Sequence, residues 1–330
     1  MIISRTPFRV SFFGGGTDYP VWYKDHGGVV ISTSIDKYCY VTVRKVPFMW
    51  NFKFRLRYHK SEITKSVSKI RHGPYREIIK YFKLHNENIE LVYSADLPAL
   101  SGLGSSSSST VCAINALSAL SQNYLNKKQI SQIAILIEQK ILRENVGSQD
   151  QIAAAFGGFN KITFKKDLDY TVENLLNREK IDILNKSSIL VYTGIQRKSR
   201  IIEKKKIENI KKNKLSKYLN EINKISVTAL KEFRKRNLNL KIIGKLLSNQ
   251  WEQKKLLDGE ISNSTVDKIT KICLKNGAYG AKLLGSGGGG FVLVLLPPNK
   301  RKFLIKKLKH YKTLDFRFEN SGTSIIYQKN

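Results

Sequence analysis

The sequence predicts an α+β protein of two domains, divided as residues 1–185 and 186–330. Two observations point there. At 330 residues and 41% hydrophobic content, the chain can bury one large core or two ordinary ones. Its strand and helix patterns also do not alternate regularly enough for a doubly wound parallel sheet.

The first fifty residues read as strands broken by glycine turns. The start, Met1 to Pro7, is a first strand. Residues 29–35 and 38–43 are rich in β-branched and aromatic side chains, as half-buried strands are. A short helix over 74–85 and a strand over 89–93 follow. Residues 110–120 are apolar without Gly or Pro, which predicts a buried helix. Ile130, Ile133, Ala134, Ile137 and Ile141 recur at helical spacing and mark a second helix, ended near Gly147. In the second half, a strand over 188–192 leads to lysine-rich helices filling about 200–275. A glycine run over 285–290 precedes a strong strand over 291–296, and residues 324–327 form a closing strand.

Composition narrows the function classes. No stretch approaches the roughly 20 apolar residues of a membrane span. The first residues carry no apolar run of signal-peptide length, so a cytoplasmic protein is expected. Cys39, Cys112 and Cys273 are scattered among apolar neighbours, which suits buried thiols better than a disulfide frame or a metal site. The net charge is +32, from 58 Lys and Arg against 26 Asp and Glu. Such a balance raises nucleic-acid or other polyanion binding as a reading. The lysines, however, lie in amphipathic segments such as 204–206 and 211–214, without interleaved aromatics or a zinc-finger pattern. A solvated basic surface is the simpler reading, and its field would also gather anionic substrates.

The most informative segment is Pro98-Ala99-Leu100-Ser101-Gly102-Leu103-Gly104-Ser105-Ser106-Ser107-Ser108-Ser109. A strand, a glycine loop and a helix start would bring unpaired backbone N–H groups around one concavity, as phosphate binding requires. The serine hydroxyls can add hydrogen bonds or ligate Mg2+. No Gly-Lys-Ser/Thr follows, so this is not a Walker A loop. A flexible serine linker would not run straight into the apolar helix over 110–120.

The run from Pro98 to Ser106 resembles the second motif of the GHMP kinases (galacto-, homoserine, mevalonate and phosphomevalonate kinases). The segment Pro7 to Tyr19, with Gly14-Gly15-Gly16-Thr17-Asp18, is similar to that family's first, sugar-binding motif. Lys282 to Phe291 is similar to its glycine-rich third motif. The resemblance implies a two-domain GHMP-kinase-like α+β fold, with ATP and substrate in the interdomain cleft. It implies that Gly102, Leu103, Gly104, Ser105, Ser106 and Ser107 cradle the triphosphate, and that Ser106 and Glu138 hold Mg2+, with Glu144 the nearest substitute for Glu138. Asp150 would be the catalytic carboxylate, twelve residues after Glu138, with Arg9 holding it ionised.

Galactokinase-like members carry Gly-Glu-His-Thr-Asp where this chain has Gly14-Gly15-Gly16-Thr17-Asp18. The missing side chains at Gly15 and Gly16 would open room for a longer or phosphorylated sugar, while Thr17 and Asp18 are kept. The alternative is a tight turn that uses glycine for its backbone alone. With Gly27-Gly28-Val29-Val30 and the run from Gly147 to Asn160, the chain resembles the branch of the family that acts on D-glycero-D-manno-heptose 7-phosphate. That implies a sugar phosphate and ATP as partners, and phosphorylation at the anomeric oxygen on a route to nucleotide-activated heptose. Arg71, Arg197, Lys198 and Arg200 are candidates for reading the distal phosphate, and Gly287 and Gly288 for contacting the substrate. A fucokinase-like enzyme for a neutral sugar, and a polyanion-binding protein, are the competing readings.

Overall fold

The computed structural model describes residues 1–196 and 199–329. β1 (Ile2–Phe13) alternates buried and half-buried residues at its start and is buried on both faces from Thr6 onward. It therefore runs into the middle of the molecule and carries Arg9 and Ser11 with it. A glycine turn and α1 (Pro20–His26) lead to β2 (Gly28–Lys45), which pairs antiparallel with β1. The two strands expected over 29–35 and 38–43 are thus one. Asp36 and Lys37 are extra residues in a bulge opposite Pro7 and Phe8. Pro7 offers no N–H to a ladder, so a bulge there sacrifices little pairing.

β3 (Phe54–Arg57), β4 (Ser61–Thr64), α2 (Gly73–Tyr81) and β5 (Ile89–Ala95) follow. β5 pairs antiparallel with β2 and parallel with β3. The glycine-serine loop then opens α3 (Ser105–Leu120), which is buried from Ser107 to Ala119 apart from Ser109 and packs against β1 and β2. The serine run is helix, not linker. α4 (Lys127–Ile135) starts with a capping box at Asn126 and passes into one π-helical turn over Leu136–Ile141. The expected single helix ending near Gly147 therefore stops at Ile141. Residues 142–148 form a loop before α5 (Gln149–Phe156). β6 (Phe159–Phe164) and β7 (Tyr170–Asn174) extend the first sheet from the start of β2.

After α6 (Arg178–Lys186), β8 (Ser188–Tyr192) begins a second sheet. Helices α7 (Ser199–Lys211), α8 (Ser216–Arg234), α9 (Leu240–Lys255) and α10 (Ser264–Lys275) precede β9 (Gly280–Leu283) and β10 (Phe291–Leu295). With α11 (Arg301–Lys307) and β11 (Lys312–Leu314), the second sheet is antiparallel in the order β11-β8-β10-β9. The chain then leaves it. β12 (Phe318–Glu319) pairs with β2, and β13 (Ser324–Gln328) pairs with β1. A division at 185/186 does not anticipate this return. The closing strand satisfies the free edge of β1, whose N–H and C=O groups would otherwise stand unpaired.

Two apolar cores result. One surrounds α3 beneath the first sheet, and the other lies between the second sheet and its helices. Cys39, Cys112 and Cys273 are buried free thiols within them. Among the described residues, no helix is long and apolar enough to cross a membrane.

Candidate active site

A cavity of about 800 Å³ opens where β1, the start of α3, the start of α5 and the third glycine motif converge. Arg9 organises it from β1. Its Nε donates to Asp150 Oδ1 at 2.7 Å and its Nη2 to Asp150 Oδ2 at 2.6 Å. Its Nη1 donates to the Gly102 carbonyl at 2.6 Å, and its backbone N–H to the Leu103 carbonyl at 3.0 Å. One buried guanidinium thus ties the aspartate to the phosphate-type loop. A bidentate pair of this kind fixes the orientation of a carboxylate as well as its charge. Arg9 is 3% exposed and Asp150 is 23% exposed, so the cation is sealed beneath while the carboxylate reaches the cavity.

The loop has a backbone reason for its glycines. Gly102 and Gly104 have φ of +87° and +77°, and a Cβ on Gly104 would lie 3.0 Å from Arg9 Cγ. Gly104 caps α3 without a side-chain hydrogen bond. The N–H groups of Ser105, Ser106 and Ser107 form the first turn, where no intrahelical acceptor exists, and all three residues line the cavity. That end of α3 is suited to an anion.

Glu138 sits behind this turn, buried in the π-helical segment. It accepts from Ser107 Oγ at 2.9 Å and from Gln151 Nε2 at 2.5 Å. Among the described residues its Oε1 accepts no hydrogen bond, and burial pushes the carboxyl up to about 7. A desolvated carboxylate with an idle oxygen among serine hydroxyls is a hard-oxygen donor set that fits Mg2+. Among the described residues no three His, Cys, Asp or Glu side chains form a cage, so a cation here would draw its other ligands from phosphate and water. Ser106 lines the cavity and is exposed, whereas the serine bonded to Glu138 is Ser107, one residue further on.

At the other end, Gly15, Gly16 and Asp18 line the cavity. Asp18 accepts from the Gly16 N–H at 2.9 Å and from the Gln149 N–H at 3.4 Å. Burial raises its pKa, with repulsion from Asp150 adding to the effect. Thr17 serves the turn instead, donating to the Gly14 carbonyl at 2.9 Å. Leu103 is core. Arg71 is exposed and does not line the cavity, its N–H bonded to Glu62. Gly287 and Gly288 turn away toward Ile261, and the third motif presents Gly285 and Ser286 to the cavity. Arg197 and Lys198 lie outside the described residues.

The cavity also holds residues to which the sequence reading gave no role. Lys282 Nζ, fully buried, donates to the Phe12 carbonyl at 2.7 Å, to Gln250 Oε1 at 2.9 Å and to the Ser11 carbonyl at 3.2 Å. It therefore bridges the second sheet to β1. Burial, helped by nearby Arg9, pulls it down to about 7. Lys254 donates to the Gly285 carbonyl and Lys206 to the Ser286 carbonyl, holding the third motif in place. Ser11 and Gln149 complete the end of the cavity lined by Gly15, Gly16 and Asp18. The signal for Ser11 was its position two residues after Arg9, on the same strand face.

Known proteins supply the remaining evidence. Residues 72–158 match the GHMP kinases N terminal domain and residues 229–313 the GHMP kinases C terminal domain. The chain is similar to the D-glycero-alpha-D-manno-heptose 7-phosphate kinase of Campylobacter jejuni, at 31% identity over 97% of each chain. It is 23% identical to the bifunctional fucokinase/GDP-fucose pyrophosphorylase of Arabidopsis thaliana, over 95% of this chain and 32% of that protein. The fold matches the crystal structure of a D-glycero-D-manno-heptose 1-phosphate kinase from Bacteroides thetaiotaomicron, with a TM-score of 0.82 and 23% identity over the whole of both chains. Similarity that runs the length of a curated sugar kinase, on a chain matched in order by both family domains, makes this protein a member of the GHMP kinase family and a sugar kinase.

Proposed function

We propose that the chain transfers the γ-phosphoryl group of ATP to the anomeric oxygen of D-glycero-D-manno-heptose 7-phosphate, giving the 1,7-bisphosphate. The observation that carries the transfer is Arg9, which joins Asp150 to the loop at the start of α3 in one cavity. The triphosphate would lie on the N–H groups of Ser105 to Ser107, with the acceptor between Asp150 and Gly15. Asp150 keeps lone pairs beyond those used by Arg9. It would accept the proton of the anomeric hydroxyl as the new O–P bond forms and the bond to ADP breaks. Mg2+, held by Ser106 and Glu138 beside the phosphates, would supply neutralisation of their charge.

The heptose phosphate is supported by the near-full-length relative and by Gly15. A Cβ there would meet nothing closer than 3.6 Å, and its backbone is not left-handed. The backbone does not demand glycine at that position, so the missing side chain widens the acceptor site. Gly14 is the opposite case, since a Cβ would lie 1.9 Å from the Val29 carbonyl oxygen. Gly16 also needs its freedom, at φ +111°.

An ATP-consumption screen over neutral and phosphorylated hexoses and heptoses tests the proposal. Heptose 7-phosphate should give the highest kcat/KM. Preference for a neutral sugar such as fucose would overturn the acceptor and leave the phosphoryl transfer standing.

A further inference from the structure

The acceptor end of the cavity contains two buried polar atoms, Ser11 Oγ and Gln149 Oε1, that have no hydrogen-bond partner among the described residues. Both residues line the cavity, and they are 6% and 9% exposed. Buried polar side chains normally find partners, because an unmade hydrogen bond costs the group its full desolvation. Their positions are also fixed. The Ser11 carbonyl is held by Lys282 at 3.2 Å, and the Gln149 N–H rests on Asp18 Oδ2 at 3.4 Å. The two side chains border the same space: a Cβ built on Gly15 would lie 3.6 Å from Gln149 Nε2, on the carboxamide that carries Oε1, and 3.7 Å from Ser11 Oγ.

We propose that Ser11 and Gln149 are specificity-determining residues that hydrogen-bond one hydroxyl of the acceptor sugar, other than the hydroxyl that is phosphorylated, in the space left beside Gly15. The chemistry of the pair selects this ligand. A carbonyl oxygen such as Gln149 Oε1 can only accept, whereas the serine hydroxyl can donate. A sugar hydroxyl donates one hydrogen bond and accepts two, so a single one satisfies both atoms. A phosphate or carboxylate would set lone pairs against Oε1. This inference rests on the sugar-kinase reading and refines its acceptor site.

The test uses the full chain with Ser11→Ala and Gln149→Leu, and steady-state kinetics on D-glycero-D-manno-heptose 7-phosphate. Each variant should lose about ten- to a hundredfold in acceptor kcat/KM, the range expected when a site built for a hydroxyl loses its partner. KM for ATP should stay within about twofold, and the melting temperature should hold or rise, because an unsatisfied buried group has been removed. The 2-, 3- and 4-deoxy forms of the same acceptor then form a cycle with Gln149→Leu. For one of them, wild type and variant should become equally poor. Unchanged acceptor kinetics in both variants, or equal losses on every deoxy acceptor together with a falling melting temperature, would overturn the proposal. Those outcomes would leave a bridging water or a purely structural role. If wild type instead prefers a neutral sugar, the heptose reading fails and the same cycle is run on that sugar. Inactivity on every sugar would sink both.

Discussion

At the loop end of the cavity, Arg9 makes four hydrogen bonds to Asp150, Gly102 and Leu103, and both Asp150 oxygens are engaged. At the acceptor end, Ser11 Oγ and Gln149 Oε1 have no hydrogen-bond partner among the described residues, and a side chain at Gly15 would meet only ordinary contacts. The difference separates two kinds of binding site. The loop end is assembled by the protein's own bonds, so the placement of Asp150 against the loop exists before substrate arrives. The acceptor end is finished only by a ligand that brings its own hydrogen bonds, which is where discrimination between substrates is largest.

Breaking the assembled end should have the largest effect. Asp150→Asn keeps an acceptor for Arg9 but cannot take the proton, and kcat should fall about a thousandfold or more. Binding of a non-hydrolysable ATP analogue by calorimetry should be retained. Asp150→Ala is the blunter change, because it leaves Arg9 buried without its counter-charge, at a cost of up to about 3 kcal/mol. Turnover near wild type for Asp150→Asn would remove Asp150 from the chemistry.

The second prediction sets neighbours against each other. Gly14→Ala places a methyl on the Val29 carbonyl at φ +86°, and should lower the melting temperature by about 5 °C or more, or prevent folding. Gly15→Ala meets only ordinary contacts, at 3.6 and 3.7 Å. It should melt with wild type and raise KM for the acceptor several-fold, with KM for ATP unchanged. Equal melting of the two variants would mean that the turn does not distinguish them, and the argument for a widened site would fall.

Much of the assembled end was legible in the sequence because it is local. The glycine-serine loop, its helix and the strand with Arg9 are contiguous motifs whose backbone requirements show in residue type. The long π-turned segment was not legible past Leu136, since Ile137 and Ile141 keep helical spacing whichever hydrogen-bond pattern the backbone adopts. The return of β13 to the first sheet depends on the unpaired edge of β1, more than three hundred residues away in sequence, and that of β12 on Ser34 and Ile35 of β2. Thr17, Gly287 and Gly288 stand in the right motifs yet serve turns, because a motif fixes a backbone path and not which of its residues faces the ligand. The one signal for Ser11 was its place two residues after Arg9, and Gln149 carried none of its own. A serine and a glutamine become informative only when their partners are counted in three dimensions.

Lys282 sharpens the comparison by joining the two ends through charge. It is an ammonium held by three neutral oxygens, and burial, with a smaller push from Arg9, pulls it down to about 7 from its ordinary 10.5. Below about pH 7 the folded and unfolded chains both hold this proton, and the folded state carries the full desolvation penalty. Between about 7 and 10.5 the unfolded chain binds more of the proton, so the contribution of Lys282 to stability rises with pH. Lys282→Met removes that dependence. The oxygens it leaves unsatisfied give an offset that does not change with pH. The stability of wild type relative to Lys282→Met should therefore be flat below pH 6 and climb from 7 toward 10, approaching about 1 kcal/mol per pH unit. Denaturant unfolding of both proteins at pH 6, 7.5 and 9 measures it. Parallel curves would mean that Lys282 stays protonated throughout, its three acceptors outweighing burial and Arg9. The cavity would then hold a permanent buried cation beside Arg9.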